Sequence, residues 1–156
     1  MSSERKIDFF SAIILILSII ALVMLLIGPF GGFNLGYSWN GYSCLYCFGY
    51  FIETIVPYLM QILILILLIL QIITSINNLL PEPFLPKDSK AGFISTSLFG
   101  IISSAMIWGF AIIGLIVFGI TFAYANDWWM DIGFYGPVVA GIINMILYIL
   151  RFKNKI

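Results

Sequence analysis

The sequence contains no histidine, two cysteines and very few charged residues. Without histidine, the chain lacks the side chain that most often ligates metals and most often serves as a general base. Only 9% of the residues are charged, whereas soluble domains carry about 25%. The seven basic and seven acidic residues cancel, so the basic surface typical of a nucleic-acid-binding protein is missing. These absences argue against a soluble enzyme and against a nucleic-acid partner.

Apolar residues make up 62% of the 156 residues and lie in long runs. A membrane-spanning helix needs about 20 predominantly apolar residues, and four segments meet that length. The sequence therefore predicts an all-α fold, a single-domain integral membrane four-helix bundle with antiparallel, up-down connections. The predicted spans cover residues 9–29, 54–78, 93–124 and 132–151.

The third predicted span is longer than a bilayer requires. A continuous helix over 93–124 would rise roughly 48 Å, whereas the hydrocarbon core is about 30 Å thick. Trp128 and Trp129 follow this segment and suit a membrane interface. We therefore expect a long third helix whose outer end stands above the bilayer.

The charges predict how the chain is oriented in the membrane. All the basic residues fall in three segments that four spans place on one side: Arg5, Lys6, Lys87, Lys90, Arg151, Lys153 and Lys155. The opposite side carries Glu53, Asp127 and Asp131. Because basic residues are retained on the cytoplasmic side, we expect both termini in the cytoplasm of a multi-pass protein of the cell membrane, with the lipid bilayer as its first partner.

Cys44 and Cys47 form a CxxC at the predicted outer end of the second span. Three interpretations are open: a structural disulfide, a redox-active pair, or free thiols packed without a role. Disulfides persist on the outer side, and the acidic Glu53 nearby disfavours the reactive thiolate. We therefore expect a static disulfide. Two cysteines without histidine cannot complete a four-ligand zinc site within one chain, so no metal is expected.

The redox interpretation is supported by a resemblance to a known family. Four spans, cytoplasmic termini and a CxxC that opens the second span resemble the quinone-coupled disulfide oxidoreductases of the DsbB and vitamin K epoxide reductase type. This resemblance implies that Cys44 and Cys47 are the catalytic, quinone-side pair and that the cofactor is a quinone.

A second resemblance covers more of the chain. Four spans, Trp39, Gly41-Tyr42 and the cysteine pair in the first outer loop, and Tyr135-Gly136 at the fourth span look like the claudin and peripheral-myelin-protein tetraspan group. In that group, aromatic residues precede two disulfide-bonded cysteines. The resemblance implies that Cys44 and Cys47 form that disulfide and that the role is non-enzymatic: adhesion, junction formation, or an accessory subunit of a membrane assembly.

Small residues recur at four-residue spacing in the third and fourth predicted spans. In lipid, such residues permit close backbone approach and hydrogen bonds between helices. We expect them to pack the bundle or to form an oligomer interface. Asn144, at mid-span, should find a partner inside the bundle, and Gln61 and Gln71 raise the same question. The predicted packing residues are Gly92, Thr96, Gly100, Ser104, Gly136, Ala140 and Asn144.

Aromatic residues concentrate on the predicted outer side only. A membrane belt uses Trp and Tyr at both faces, whereas a one-sided set is typical of an interaction surface. The leading interpretation is a non-enzymatic structural or interaction protein without cofactor, which contacts other membrane proteins or copies of itself. The alternative is the thiol-disulfide oxidoreductase. The predicted contact residues are Trp39, Tyr42, Trp128, Trp129 and Tyr135.

Overall fold

Four α-helices account for most of the structure. The computed structural model of the chain describes residues 8–34, 39–43, 55–85, 90–123 and 127–153. The helices are α1 (Phe9–Ile27), α2 (Ile55–Leu79), α3 (Ser97–Thr121) and α4 (Ile132–Lys153). All four are long and apolar enough to cross a membrane. By the length and composition of its helices, the chain is a helical bundle of the multi-pass membrane type, as predicted.

Three helices agree with the predicted spans to within two residues at each end, but the third does not. A short 3-10 helix over Lys90–Ser95 precedes α3, and Thr96 between them has an extended backbone, with φ −83° and ψ 152°. The Thr96 hydroxyl accepts a hydrogen bond from the Phe99 N–H at 3.2 Å, which caps the new helix. The expected continuous helix over 93–124 is therefore wrong: α3 has 25 residues, as α2 has, and rises roughly 38 Å.

The helices form a closed ring, in which α1 and α3 each pack against both α2 and α4. At one end, Asp8 before α1 lies 2.8 Å from Arg151 near the end of α4. At the other end, Gly28 lies so close to the Ile132 side chain that an added Cβ would overlap it. α1 and α4 therefore run in opposite directions. We call these two ends the Arg151 end and the sheet end.

A small antiparallel sheet lies at the sheet end and was not predicted. Its strands are β1 (Pro29–Asn34), β2 (Trp39–Ser43) and β3 (Asp127–Met130), in the order β2-β1-β3. Gly32 of β1 is opposite Gly41 of β2 and Trp129 of β3. The sheet ties the connection after α1 to the connection between α3 and α4, because β1 pairs with strands from both.

Aromatic and branched side chains fill the bundle below this sheet. Phe33 of β1 stacks on Phe122, just after α3, with ring centroids 4.1 Å apart and planes 17° apart. Phe30 meets Phe134 of α4 edge to face at 5.6 Å. These four rings are almost completely buried. Aromatic pairs of this kind add roughly 0.5–1.5 kcal/mol beyond the area that they bury, so the sheet is fixed to the bundle by its inner face.

Candidate functional site

Two exposed aromatic side chains stand at the sheet end. Trp128 in β3 keeps 41% of its surface exposed, and Tyr135 in the first turn of α4 keeps 54%. We call this pair the aromatic cap. Large exposed aromatic side chains mark interaction sites more often than the rest of a surface does. The cap is therefore the part of the described structure that best fits a contact surface.

The cap rests on buried aromatic rings. Trp128 lies against α3, where a Cβ on Gly119 would be 3.0 Å from its ring. Its edge also meets Phe118, with centroids 6.4 Å apart. Tyr135 meets Phe134 edge to face at 5.2 Å. Each exposed ring is thus positioned by a buried neighbour, so little side-chain entropy remains to be lost when a partner binds.

The other predicted contact residues differ in how much the structure describes. Trp129 follows Trp128 in β3 and is only partly exposed. Trp39 and Tyr42 belong to β2, where their backbones pair with Asn34 and Gly31 of β1.

Cys44, Cys47 and Glu53 lie outside the described residues, so the disulfide, the catalytic pair and the quinone stay predictions. Within the described ranges, no group of three His, Cys, Asp or Glu side chains is placed to hold a metal.

A hydrogen-bonded polar layer crosses the middle of the bundle. The Gln71 amide of α2 donates to Ser103 at 3.1 Å and to Ser104 at 2.7 Å, both on α3. Its carbonyl oxygen accepts from Ser18 of α1 at 3.2 Å and from Asn144 of α4 at 2.9 Å. All five side chains are fully buried. The layer therefore joins all four helices through side chains that lipid cannot replace as partners.

A second polar group occupies the Arg151 end. Arg151 is buried, and its Nε lies 2.8 Å from Asp8 Oδ2, an ion-pair distance without the geometry of a hydrogen bond. Asp8 also caps α1, where it accepts from the Ser11 N–H at 3.3 Å and from the Ser11 hydroxyl at 3.0 Å. Tyr148, one turn before Arg151, is fully buried, and the Ser75 hydroxyl lies beside its own.

The predicted packing residues fall in three kinds of place. Gly100 faces α4, where an added Cβ would overlap the Tyr148 ring, and Gly136 faces Met24 of α1. Ser104 and Asn144 belong to the polar layer, and Ala140 is part of the apolar core. Gly92 and Thr96 precede α3, Gly92 as a buried residue of the 3-10 helix and Thr96 as the capping residue.

A groove of about 210 Å³ runs between α1 and α4 on the sheet side of the polar layer. Its walls are apolar except at Tyr135, which stands at its edge. Ala21, Gly136 and Ala140 make the groove, since their side chains are too small to fill the space between the helices. The larger lining residues include Leu17, Met24 and Val139. The groove is open on the outside of the bundle, between α1 and α4.

Gln61 is the exception in the apolar part of the interior. It is fully buried, and neither polar atom of its amide has a hydrogen-bond partner among the described residues. Gln71 lies on the same helix and makes hydrogen bonds to three other helices. Two glutamines that look alike in the sequence therefore have opposite surroundings.

Comparison with protein-family models, with curated proteins and with solved structures finds no match to this chain.

The ion pair and the polar set around it were not predicted from the sequence. One signal was present: Asn144, Tyr148 and Arg151 are spaced so that they share one face of a helix. Gln71 and Ser75 show the same spacing on α2. A search for polar residues at helical spacing within an apolar span would have found both columns.

Proposed function

We propose that the chain is a non-enzymatic integral membrane protein that contacts other membrane proteins, or copies of itself, through the aromatic cap. The observation behind this proposal is that exposed Trp128 and exposed Tyr135 each contact a buried aromatic ring. Trp and Tyr are over-represented among the residues that dominate binding energy at protein interfaces. Rings that are already positioned lose less freedom on binding.

The orientation of the cap follows from the charges. The Arg151 end carries Arg151 and Lys153 at the close of α4, whereas Asp127 and Asp131 flank the cap. By the positive-inside rule, the termini then face the cytoplasm and the cap faces outward. An outward cap is the arrangement that the tetraspan resemblance implies, and that resemblance stays a prediction.

An interfacial belt is the competing explanation of exposed Trp and Tyr side chains. Belt residues anchor a helix at the headgroup level and contact lipid. The two explanations differ in what substitution does: loss of a belt residue changes the depth of insertion, whereas loss of a contact residue changes association with a protein. The proposal therefore predicts a defect in association with unchanged folding.

The test is self-association in liposomes, together with quantitative co-isolation from native membranes under mild detergent. The test variant is Trp128→Ala with Tyr135→Ala. The matched control is Ile146→Ala with Leu150→Ala, which removes two similarly exposed side chains from the other end of α4. We expect the cap variant to lose most of its association in at least one assay and the control to keep it. Equal association of both variants and wild type in both assays would refute the proposal.

A further inference from the structure

The interior of the bundle divides into two halves at the layer that contains Gln71. On the Arg151 side, every helix turns polar residues inward. These buried residues are Ser11 and Ser18 of α1, Gln71 and Ser75 of α2, Ser97, Ser103 and Ser104 of α3, and Asn144, Tyr148 and Arg151 of α4. On the sheet side, the inward residues are mainly apolar. We call the first region the polar half and the second the apolar half.

Several atoms of the polar half lack a hydrogen-bond partner among the residues that the structure describes. They are the Ser97 hydroxyl, Nη1 of Arg151 and Oδ1 of Asn144. The hydroxyls of Ser75 and Tyr148 have at most one another as a partner. All these atoms belong to residues that are at most 6% exposed. A buried polar group without a partner destabilises the folded state. So many unpartnered groups in one region call for a ligand that the protein itself does not supply.

The same groups lie on adjoining turns of the inner face of the bundle. Asn144, Tyr148 and Arg151 follow one another along the inner face of α4, at separations of four and three residues. The Ser75 hydroxyl lies beside that of Tyr148. Gly100 lets the Tyr148 ring lie directly against α3, three residues from Ser97.

The chemistry of these atoms favours water over an anion. The Arg151 charge is already opposed by Asp8 at 2.8 Å, so the region offers no net positive charge. Arg151 Nη1 can only donate, Asn144 Oδ1 can only accept, and the three hydroxyls can do both. Water both donates and accepts, and buried waters typically make about three hydrogen bonds. An anion would leave the Asn144 oxygen unsatisfied and would be repelled by Asp8.

We propose that the polar half is a hydration site, in which a chain of bound water molecules runs from the Asp8–Arg151 pair to Asn144. The chain ends there, because Ile64, Leu68, Ile107 and Ala111 close the interior beyond the polar layer. The bundle is thus hydrated from the Arg151 end to its middle, and the Gln61 amide beyond the polar layer is not part of this chain of water. Water enters from one side only, so the site is a blind vestibule and not a pore.

The test is X-ray hydroxyl-radical footprinting of the full chain in detergent, because radicals formed from bound water oxidise the side chains next to it. Tyr148 and Phe122 are both fully buried, and each rate is normalised to that of the same residue in the unfolded chain. We expect Tyr148 to be oxidised several-fold faster than Phe122. Equal normalised rates would overturn the proposal.

Two further measurements separate bound water from other causes. Ser75→Ala with Ser97→Ala removes two water partners and should lower the Tyr148 rate toward that of Phe122. Unchanged or faster oxidation would mean that the label arises from opening of the bundle, and would overturn the proposal. The wild-type rate should also be the same in chloride and in gluconate. Protection of Tyr148 by chloride alone would assign the site to an anion instead.

Discussion

The two halves of the interior are held together by different interactions. In the apolar half, Phe30, Phe33, Phe122 and Phe134 interlock beneath the sheet. In the polar half, Gln71 and its partners hydrogen-bond across all four helices. Apolar packing between helices gains no hydrophobic advantage in lipid, because lipid tails are equally apolar. Hydrogen bonds specify which helix faces meet, whereas the aromatic packing fixes the surface at the sheet end that carries the cap.

This comparison predicts its largest effect at the closest helix contact of the polar half. A Cβ on Gly100 would already overlap the Tyr148 ring, whereas a Cβ on Gly109 of the same helix would meet nothing within 4 Å. Gly100→Leu should therefore destabilise the bundle by about 3 kcal/mol or more through overpacking. Gly109→Leu should be neutral or slightly stabilising. Thermal unfolding in detergent measures both, and equal stability of the two variants would contradict the contact.

A second pair of variants compares the two halves of the interior by making the same substitution, glutamine to methionine, in each. Gln71→Met removes the centre of the polar layer and should cost about 1–2 kcal/mol, given the strength of such hydrogen bonds between membrane helices. Gln61→Met removes an amide without a partner among the described residues, so it should be neutral or stabilising. Chemical unfolding in mixed micelles gives both values. The same loss from both substitutions would mean that the polar layer does not hold the bundle.

The smallest effect is expected within the aromatic packing. A double-mutant cycle of Phe33→Leu and Phe122→Leu should give a coupling energy of about 1 kcal/mol, as stacked rings do. The same cycle with Phe33 and Tyr148, which lie in opposite halves, should give none. The free energies of unfolding of wild type, the two single variants and the double variant give the coupling energy of each cycle. Coupling of equal size in both cycles would show that the two halves are not separate units.

The helix positions were predictable because a membrane restricts what a span can be. Runs of about 20 apolar residues have few alternatives in lipid, and α1, α2 and α4 followed from that rule alone. The start of α3 was predicted wrongly because a hydropathy pattern does not show where a helix is capped. The stretch from Phe93 is apolar, but the Thr96 hydroxyl accepts a hydrogen bond from the Phe99 N–H and so begins a new helix. Local side-chain chemistry decided where that helix starts.

The β1–β3 pairing and the ion pair escaped prediction because both join distant parts of the chain. Gly32 pairs with Trp129, and Asp8 meets Arg151, across most of the sequence. In each pair, the sequence around one residue does not indicate which residue it contacts. The single polar residues were easier: Asn144 was expected to find a partner, and it bonds to Ser18 and Gln71. A lone polar group in an apolar span predicts that a bond exists but does not name its partner.

We propose that the cap contacts protein and not only lipid. A photoreactive benzoylphenylalanine placed at Tyr135 in one variant, and at Ile146 in a second, distinguishes the two. The two positions are on the same helix and are similarly exposed, at 54% and 50%. After illumination of native membranes, position 135 should give discrete protein adducts and position 146 lipid adducts alone. Lipid adducts alone at position 135 would contradict the account and would leave Tyr135 as a membrane anchor.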